Sequence, residues 1–426
     1  MKPSTLLESI LRTAEKFIPR FLYKFFQPAY HFALALLGAI IYRFPSKHLS
    51  VIAITGTKGK SSTAELINAI LEEAGHTTAL LSTIRFKIGD ESKRNLFKMT
   101  VPGRFFLQHF LRRAVKKGCS YAIIEMTSEA AKFFRHKFID FDTLVFTNLS
   151  PEHIEAHGSF EKYVEAKLRL RNAVGHSSKP RKTIVANGDD VYGKEFLNIG
   201  GVQKISFTLT DAEPFELHEN DTTLTIDGTA IHSQLVGTFN IYNILAAASV
   251  AKNEGVDIQT IKVALEKVST IPGRVEKIEE GQSFDVIVDY AHTKDSLEQL
   301  YGAFKDKRKI CVLGATGGGR DKRKRPEMGA VADQFCEYII LTNEDPYDED
   351  PRTIVDELAI GIKNHKPEII MDRRQAIQEA FKRADSGDVV LITGKGTDPY
   401  IMEAKGKKTP WSDSDVARTE LQKQHV

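Results

Sequence analysis

Residues 51–73 read VIAITGTKGKSSTAELINAILEE, and the order of residue types in that stretch decides the fold. The apolar run from Val51 to Thr55 is short and ends at a glycine, which marks a strand inside a sheet. The turn GTKGKSS, Gly56 to Ser62, follows, and a helix is predicted from about Ser61 to Glu73. In such a turn the backbone N–H groups of Gly56, Thr57, Lys58, Gly59 and Ser62 converge, the helix N-terminus adds its dipole, and a lysine adds a point charge. Lys60 is that lysine, and Ser61 stands where a phosphate loop places its magnesium-binding hydroxyl. The spacing is one residue shorter than the general phosphate-loop pattern.

Working outward, short strands recur at YAIIEM (121–126), DTLVFTN (142–148) and KTIVAN (182–187), with helical stretches between them. That alternation predicts a parallel sheet with crossover helices. A β-rich patch is expected from about Lys204 to Leu235, with Asp227 and Gly228 as a hairpin turn, and a helix starting near Asn240. Past Pro272 the alternation restarts with FDVIVDY, KICVLGA, EYIILTN, PEIIMD and DVVLITG. The chain is therefore read as α/β: a helical segment over 1–47, a central phosphate-loop domain over 48–270, and a Rossmann-like doubly wound domain over 271–426.

Length and composition agree, since 426 residues exceed what one core serves. The 59 Lys and Arg against 56 Asp and Glu leave +3, spread along the chain, which gives no footprint of a nucleic-acid binder. Cys119, Cys311 and Cys336 are far apart and lack metal-ligand spacing, so reduced core thiols and a cytoplasmic setting are expected. No secretory signal opens the chain. Residues 1–47 place Phe17, Phe21, Phe25 and Phe26 at helical spacing, then Pro28, then an apolar run from Phe32 to Tyr42. This reads as a helical hairpin, its apolar run shorter than the ~20 residues a spanning helix needs. Lys2, Arg12, Lys16, Arg20, Lys24, Arg43 and Lys47 against Glu8 and Glu15 suit a peripheral contact with an anionic membrane. Docking on the next domain is the alternative, because periodicity cannot say whether lipid or protein covers an apolar face.

The form TGTKGKSS resembles the phosphate loop of the Mur ligases, which share it with folylpolyglutamate synthases. Later stretches match in the same order to the C-terminus. The resemblance implies ATP, two magnesium ions, and an acid and an amine as substrates. It makes Glu125, at the end of YAIIEM, a magnesium ligand, a role a carboxylate at a strand end beside a phosphate loop also suits by chemistry. In TNLSPEHIEAHGSFEKYVEAKLRL it makes His153 a ligand of a second magnesium and Lys167 a lysine carbamylated by carbon dioxide. On the residues alone Lys167 is equally a solvated helix lysine, near Glu161 and Glu165. Asn240 and Asn243 of GTFNIYNILAAA would face the nucleotide base, although asparagine near a helix start is also a common cap. Arg274 of IPGR would reach the phosphates, and Asp289 and Tyr290 the ribose and base. Arg320, with Lys324 and Arg325 in GATGGGRDKRKRPEMG, reads as an anion site.

Within the family the motifs fit best the enzymes that add the third residue to UDP-N-acetylmuramoyl-L-alanyl-D-glutamate. MTVPGRF supplies Thr100 and Pro102, the turn after Glu125 supplies Ser128, and GKGTDPY supplies Gly394, Lys395 and Asp398. Asn343, Asp345 and Tyr347 fall in the loop that holds the incoming amino acid. There are departures: a hydrophobic 47-residue segment stands where those enzymes carry a uridine-binding domain, Glu129 replaces a histidine, and Thr397 and Asp398 replace His and Glu. Tyr347 replaces the arginine of Asp-Asn-Pro-Arg, and Glu344 and Asp348 add negative charge. An amine-bearing amino acid such as lysine or ornithine is therefore expected in place of meso-diaminopimelate, with Arg352 near enough in sequence to supply the missing cation. The implied chemistry is transfer of the ATP γ-phosphoryl group to a carboxylate and attack of an amine on the acyl phosphate. A monomer acting on a peptide-nucleotide or other small acceptor is expected. A folylpolyglutamate synthase-like glutamate ligase is the alternative, and so is a ligase acting on a membrane-bound acceptor.

Overall fold

The computed structural model describes residues 20–152 and 154–424; the predicted ligand His153 and residues 1–19 of the N-terminal segment lie outside the described residues. Two compact units are present. The first is built on residues up to Pro214 with Thr225–Ala230 and Ile241–Leu265, and the second on Phe215–Leu224, Ile231–Asn240 and the chain from Glu266 onward.

In the first unit, α1 (Arg20–Ile41) leads to β1 (Ser50–Thr55), α2 (Lys60–Glu73), β2 (Thr78–Leu81), β3 (Arg85–Ile88) and β4 (Glu91–Arg94). There follow α3 (Arg104–Lys116), β5 (Tyr121–Glu125), α4 (Ser128–Lys132), β6 (Thr143–Phe146), α5 (Ile154–His157) and α6 (Phe160–Gly175). β7 (Thr183–Asn187), α7 (Gly193–Leu197) and β8 (Gln203–Phe207) complete it. The strands form one eight-stranded sheet in the order β4-β3-β2-β5-β1-β6-β7-β8. Every residue of β2, β5, β6 and β7 is buried, as expected of parallel strands covered on both faces. β1 lies at the centre, with Ile54 opposite Glu125 on one side and Val145 on the other. The loops leaving β1, β5 and β6 therefore emerge side by side at one edge of the sheet, where open α/β sheets bind their ligands. The outer strand β4 (ESKR) is exposed along its whole length, and Gln203 and Lys204 are exposed on the opposite edge strand.

The expected hairpin break at Pro28 is not there, for α1 runs unbroken from Arg20 to Ile41 with Pro28 inside it. Pro28 is exposed, and a proline on the solvent side of a helix can be kept with a bend and the loss of one backbone hydrogen bond in place of a break. The other side of α1 presents His31, Ala35, Gly38 and Ala39 to α3. A Cβ on Gly38 would sit 3.7 Å from Gln108 and Phe105, ordinary contact distance, so the two helices pack closely there with room for no more than a methyl group. Arg112 of α3 caps the end of α1 by donating to the carbonyls of Tyr42 at 2.8 Å and Arg43 at 3.0 Å.

A small antiparallel sheet holds β9 (Glu216–Leu217), β10 (Thr222–Ile226) and β11 (Thr229–Ser233). Asp227 (φ 49°) and Gly228 (φ 73°) both adopt the left-handed conformation that a two-residue hairpin loop requires. The β-rich patch expected from Lys204 begins later, because Gln203–Phe207 pairs parallel with β7 and completes the large sheet. Helices α8 (Thr238–Asn253) and α9 (Ile258–Lys267) follow.

The second unit contains β12 (Glu276–Lys277), β13 (Asp285–Asp289), α10 (Lys294–Ala303), β14 (Lys309–Leu313), α11 (Lys324–Phe335) and β15 (Tyr338–Leu341). It continues with α12 (Pro351–Ala359), β16 (Glu368–Ile369), α13 (Arg373–Arg383), β17 (Val389–Thr393), β18 (Tyr400–Met402), β19 (Lys408–Pro410) and α14 (Asp413–Gln424). Its main sheet has the order β12-β13-β17-β14-β15-β16, parallel except for β12. The C-terminal helix is anchored by a buried fork: Arg373 donates to both Asp413 oxygens at 2.8 and 2.7 Å, and Trp411 Nε1 donates to Asp413 Oδ1 at 2.7 Å.

The expected reduced thiols are corrected at one pair. Cys311 and Cys336 form a disulfide with Cα atoms 6.1 Å apart, and buried Cys119 is free. β14 and β15 are neighbours in the sheet, so Cys336, at the end of α11, returns beside the start of β14. A sequence separation of 25 residues does not display that proximity.

Candidate active site

In the first unit the site grows from the loop between β1 and α2. Gly56 has φ 151°, and a Cβ there would lie 1.9 Å from Thr147 Oγ1; at Gly59, φ 79°, it would lie 2.3 Å from Asn243 Oδ1. Only glycine fits at either position. Asn148 Oδ1 accepts from the Lys58 N–H at 2.8 Å, and Thr147 Oγ1 donates to the Lys58 carbonyl at 2.7 Å, so the TN pair after β6 fixes the loop's shape. Lys60 Nζ lies back across the loop, donating to the carbonyls of Gly56 at 3.1 Å and Thr57 at 2.8 Å. Gly59 is the N-cap of α2 and has no side chain to cap it, which suits the first-turn amides to an anion.

Ser61 Oγ donates to Glu125 Oε2 at 3.0 Å, and the Thr83 N–H donates to the same oxygen at 2.9 Å. Hydroxyl and carboxylate thus meet at the mouth of the loop and offer the hard oxygens that magnesium takes. Among the described residues no cluster of three or more His, Cys, Asp and Glu could hold a metal by itself, so an ion here would also need phosphate or water ligands.

Lys167 is not a solvated helix lysine. It is 1% exposed, donates to the Gly56 carbonyl at 2.5 Å, and lies over the Tyr163 ring at 4.8 Å. Burial, then the charge of Lys60, holds its amine well below the usual lysine range. Tyr163, not singled out in the sequence, bonds Thr57 Oγ1 through its hydroxyl at 3.0 Å. His157, likewise missed, lies 3.1 Å from Ser128 Oγ through Nε2 and edge-on to Tyr163. Burial, then the charges of Lys132, Lys167 and Arg169, pushes the His157 ring down to about 4, so it is neutral near pH 7. For Tyr163 the signal was its place four residues before Lys167 on one helix, since a helix turning one face to the loop brings residues four apart to it together; His157 lies on the preceding short helix, where no such spacing points to it. Thr100 Oγ1 is 2.7 Å from Thr83 Oγ1, and Arg135 donates to the Val101 carbonyl at 2.5 Å, which holds the turn ending in Pro102. Asn243 approaches Gly59 and accepts from Thr63 Oγ1 at 3.3 Å, whereas Asn240 donates its amide to the Val236 carbonyl at 2.9 Å. Glu129 is exposed.

In the second unit the predicted residues gather at the ends of β13, β15 and β17. The Arg274 guanidinium stacks over Tyr290 at 4.4 Å, and Asp289 accepts from the N–H groups of Val275 at 2.7 Å and Ala291 at 2.6 Å. Asp398 and burial raise the Tyr290 hydroxyl well above its usual range. Lys395, fully buried, donates to Asp345 Oδ1 at 2.8 Å and to the Tyr400 carbonyl at 2.7 Å, with Asp398 at 3.4 Å. Gly394 (φ 102°) faces Glu344, which accepts from Thr316 Oγ1 at 2.6 Å through Oε1 and leaves buried Oε2 without a hydrogen-bond partner. The Asn343 carbonyl accepts from Arg373 at 3.4 Å, and the Tyr347 N–H donates to the Met402 carbonyl at 2.9 Å. Arg352, near this loop in sequence, lies on the exposed side of α12 with its Nε paired to Asp356 at 2.9 Å.

One member of the basic tract after β14, Arg325, is not open to an anion. Arg325 is fully buried between Glu349 and Glu357, and Arg323 pairs with Asp321. Lys324 donates to the His292 carbonyl at 3.2 Å, and Arg320 is half-buried after two positive-φ glycines. Buried guanidinium groups are spent on carboxylates because an unpaired charge there would be costly, which residue counting does not show.

Comparison with known proteins sets this geometry in context. Residues 54–251 match the Mur ligase middle domain, and residues 273–396 the Mur ligase glutamate ligase domain. The chain is 36% identical over 405 residues to a UDP-N-acetylmuramoyl-L-alanyl-D-glutamate–2,6-diaminopimelate ligase of Syntrophomonas wolfei, covering 90% of this chain and 81% of the relative. A UDP-N-acetylmuramyl-tripeptide synthetase of Roseiflexus is also 36% identical, over 91% of this chain and 82% of its own. A solved structure of a UDP-N-acetylmuramoyl-L-alanyl-D-glutamate–2,6-diaminopimelate ligase superposes with TM-score 0.61 at 30% identity, covering 89% of this chain and 79% of that one. Folylpolyglutamate synthase of Mycobacterium tuberculosis shares the fold, with TM-score 0.68 at 15% identity over 85% of this chain and 92% of that one.

Proposed function

The chain belongs to the Mur ligase family and is an ATP-dependent ligase, and from that premise we propose that it adds an amino acid to a UDP-N-acetylmuramoyl-dipeptide-like acceptor. The observation that carries the reading is the convergence of Lys60, the Ser61–Glu125 pair and Lys167 on the GTKGKSS loop. The unit that carries the phosphate loop is the nucleotide domain, and the unit that begins in the small antiparallel sheet and continues from Glu266, earlier than the boundary expected at residue 271, is the amino-acid domain. Magnesium, supplied with ATP, would neutralise charge on the phosphates and would draw on Ser61, Glu125 and His153. Lys60 leaves the loop carbonyls for the phosphate oxygens, and the amides of Gly56 to Ser62 orient them. The acceptor's carboxylate takes the γ-phosphoryl group, the amine attacks the acyl carbon, and phosphate leaves as the amine gives up its proton. Thr100, Pro102 and Ser128 hold the acceptor. Asn240, Asn243, Arg274, Asp289, Tyr290 and Arg320 hold the nucleotide.

Burial and the charge of Lys60 lower the Lys167 amine well below its usual range, which favours the neutral form whose lone pair adds to carbon dioxide; carbamate formation from that neutral amine releases one proton and places an anion beside Lys60. For the amino acid, the uncommitted oxygen of Glu344 and the neutral Tyr347 suit an ammonium group better than a second carboxylate, with Asn343, Asp345, Gly394, Lys395 and Asp398 shaping the pocket. We place the enzyme in the cytoplasm as a monomer, with its N-terminal segment against the membrane. Phosphate release from ATP with UDP-N-acetylmuramoyl-L-alanyl-D-glutamate and a panel of amino acids tests the reading. Release with a folylglutamate and glutamate alone would overturn it.

A further inference from the structure

Between Ala29 and Ile41 helix α1 exposes no charged side chain. Its buried side is His31, Ala35, Gly38 and Ala39, and its other side exposes Phe32 (45%), Leu37 (43%), Ile40 (54%) and Ile41 (53%), with Ala29 and Ala33 between them. At 100° per residue these positions sweep about half the helix circumference. An apolar patch of this kind on a folded surface marks a place where something else excludes water. Charge indicates what that is. No Asp or Glu occurs between Glu15 and Glu65, a span holding Arg20, Lys24, Arg43 and Lys47, and Arg43 and Lys47 are exposed just beyond the end of the helix. Among the described residues no helix is long and apolar enough to cross a membrane.

We infer that the Phe32–Ile41 face of α1 is the membrane-docking surface itself, lying flat in the head-group region of an anionic bilayer. The apolar half sinks to the acyl boundary, Arg43 and Lys47 meet lipid phosphates, and the opposite half stays locked on α3. This deepens the membrane placement proposed for the enzyme and is independent of which acid and amine it joins. A second protein copy is a poorer occupant, because pairing two such helices would bring their unopposed cations together.

Co-sedimentation of the full chain with vesicles tests it, using phosphatidylcholine alone and phosphatidylcholine with an equal share of phosphatidylglycerol. Wild type is expected to bind the mixed vesicles at least about tenfold more tightly than the neutral ones, a preference that added salt removes. Leu37→Asp/Ile40→Asp should weaken binding at least about tenfold. Arg43→Glu/Lys47→Glu should lose the preference for the anionic lipid, and both variants should release phosphate from ATP at the wild-type rate, which shows that they fold. Equal pelleting of wild type and Leu37→Asp/Ile40→Asp would keep the membrane placement but take α1 out of it. Absence of vesicle binding by active protein would overturn the inference, and so would a dimer in sedimentation velocity that the same variant dissolves.

Discussion

Replacing Lys167 with alanine separates a carbamate from a merely buried amine. The side chain is 1% exposed and its amine donates to the Gly56 carbonyl at 2.5 Å. Truncation leaves that carbonyl to Lys60 Nζ alone, at 3.1 Å, a loss of about 0.5–1.5 kcal/mol, but it also relieves a buried amine facing Lys60. The two oppose, so stability should change by no more than about 1 kcal/mol while kcat falls by about a hundredfold or more through loss of an anion at the phosphate site. Short carboxylates such as acetate should restore part of that loss, and enzyme stripped of carbon dioxide should regain activity on adding bicarbonate. The pH dependence has a definite sign. The folded-state pKa of the amine lies below its unfolded value of 10.5, so between the two values the unfolded chain holds a proton that the folded chain does not. Stability of the unmodified protein therefore rises with pH through that window and levels off above it, and Lys167→Ala removes the slope. Turnover by ATP-coupled phosphate release, with unfolding followed in urea, reads both effects. A Lys167→Ala enzyme within tenfold of wild type, or an inactive one that no carboxylate rescues, would refute the carbamate.

Lys60→Ala should abolish ATP turnover with the fold retained, seen as unchanged circular dichroism beside absent phosphate release. Gly56→Ala puts a methyl group 1.9 Å from Thr147 Oγ1, so nucleotide affinity by calorimetry should drop at least about tenfold, with about 1–3 kcal/mol of strain in unfolding. Asp413→Ala leaves Arg373 buried and unpaired and should cost about 3–5 kcal/mol in urea unfolding; replacing both partners by Leu and Met should cost far less. Lysine or ornithine should outcompete meso-diaminopimelate at equal concentration, with products read by mass, and preference for diaminopimelate would show that another cation has taken the arginine's place.

Local patterns carried most of the fold. The run VIAIT before a glycine turn marked the central strand, and the Asp227–Gly228 pair marked its hairpin because few residues accept two successive left-handed conformations. Partnership was less legible. Lys167 was open between solvent and site, since a helical lysine looks the same in sequence on either face. Arg325, which with Arg320 and Lys324 reads in sequence as part of an anion site, lies buried between Glu349 and Glu357, carboxylates that local spacing does not reveal as its partners. Thr147 and Asn148 shape the phosphate loop from a strand about ninety residues away in sequence, and Cys311 meets Cys336 only because β14 and β15 are neighbours. Pro28 was read as a break because the sequence does not show that its solvent-facing side can spare a hydrogen bond.

The edges of the large sheet bear on how the protein behaves in crowded solution. One edge is Glu91-Ser92-Lys93-Arg94, exposed throughout, and the other begins with exposed Gln203 and Lys204. A stray strand adding to either edge would have to strip water from charges, so runaway β-sheet growth is blocked at both ends. With those edges guarded, the exposed apolar face of α1 is the more open route to association, and a preparation that clouds on concentration should be cleared by lipid or detergent, which covers α1, more readily than by salt.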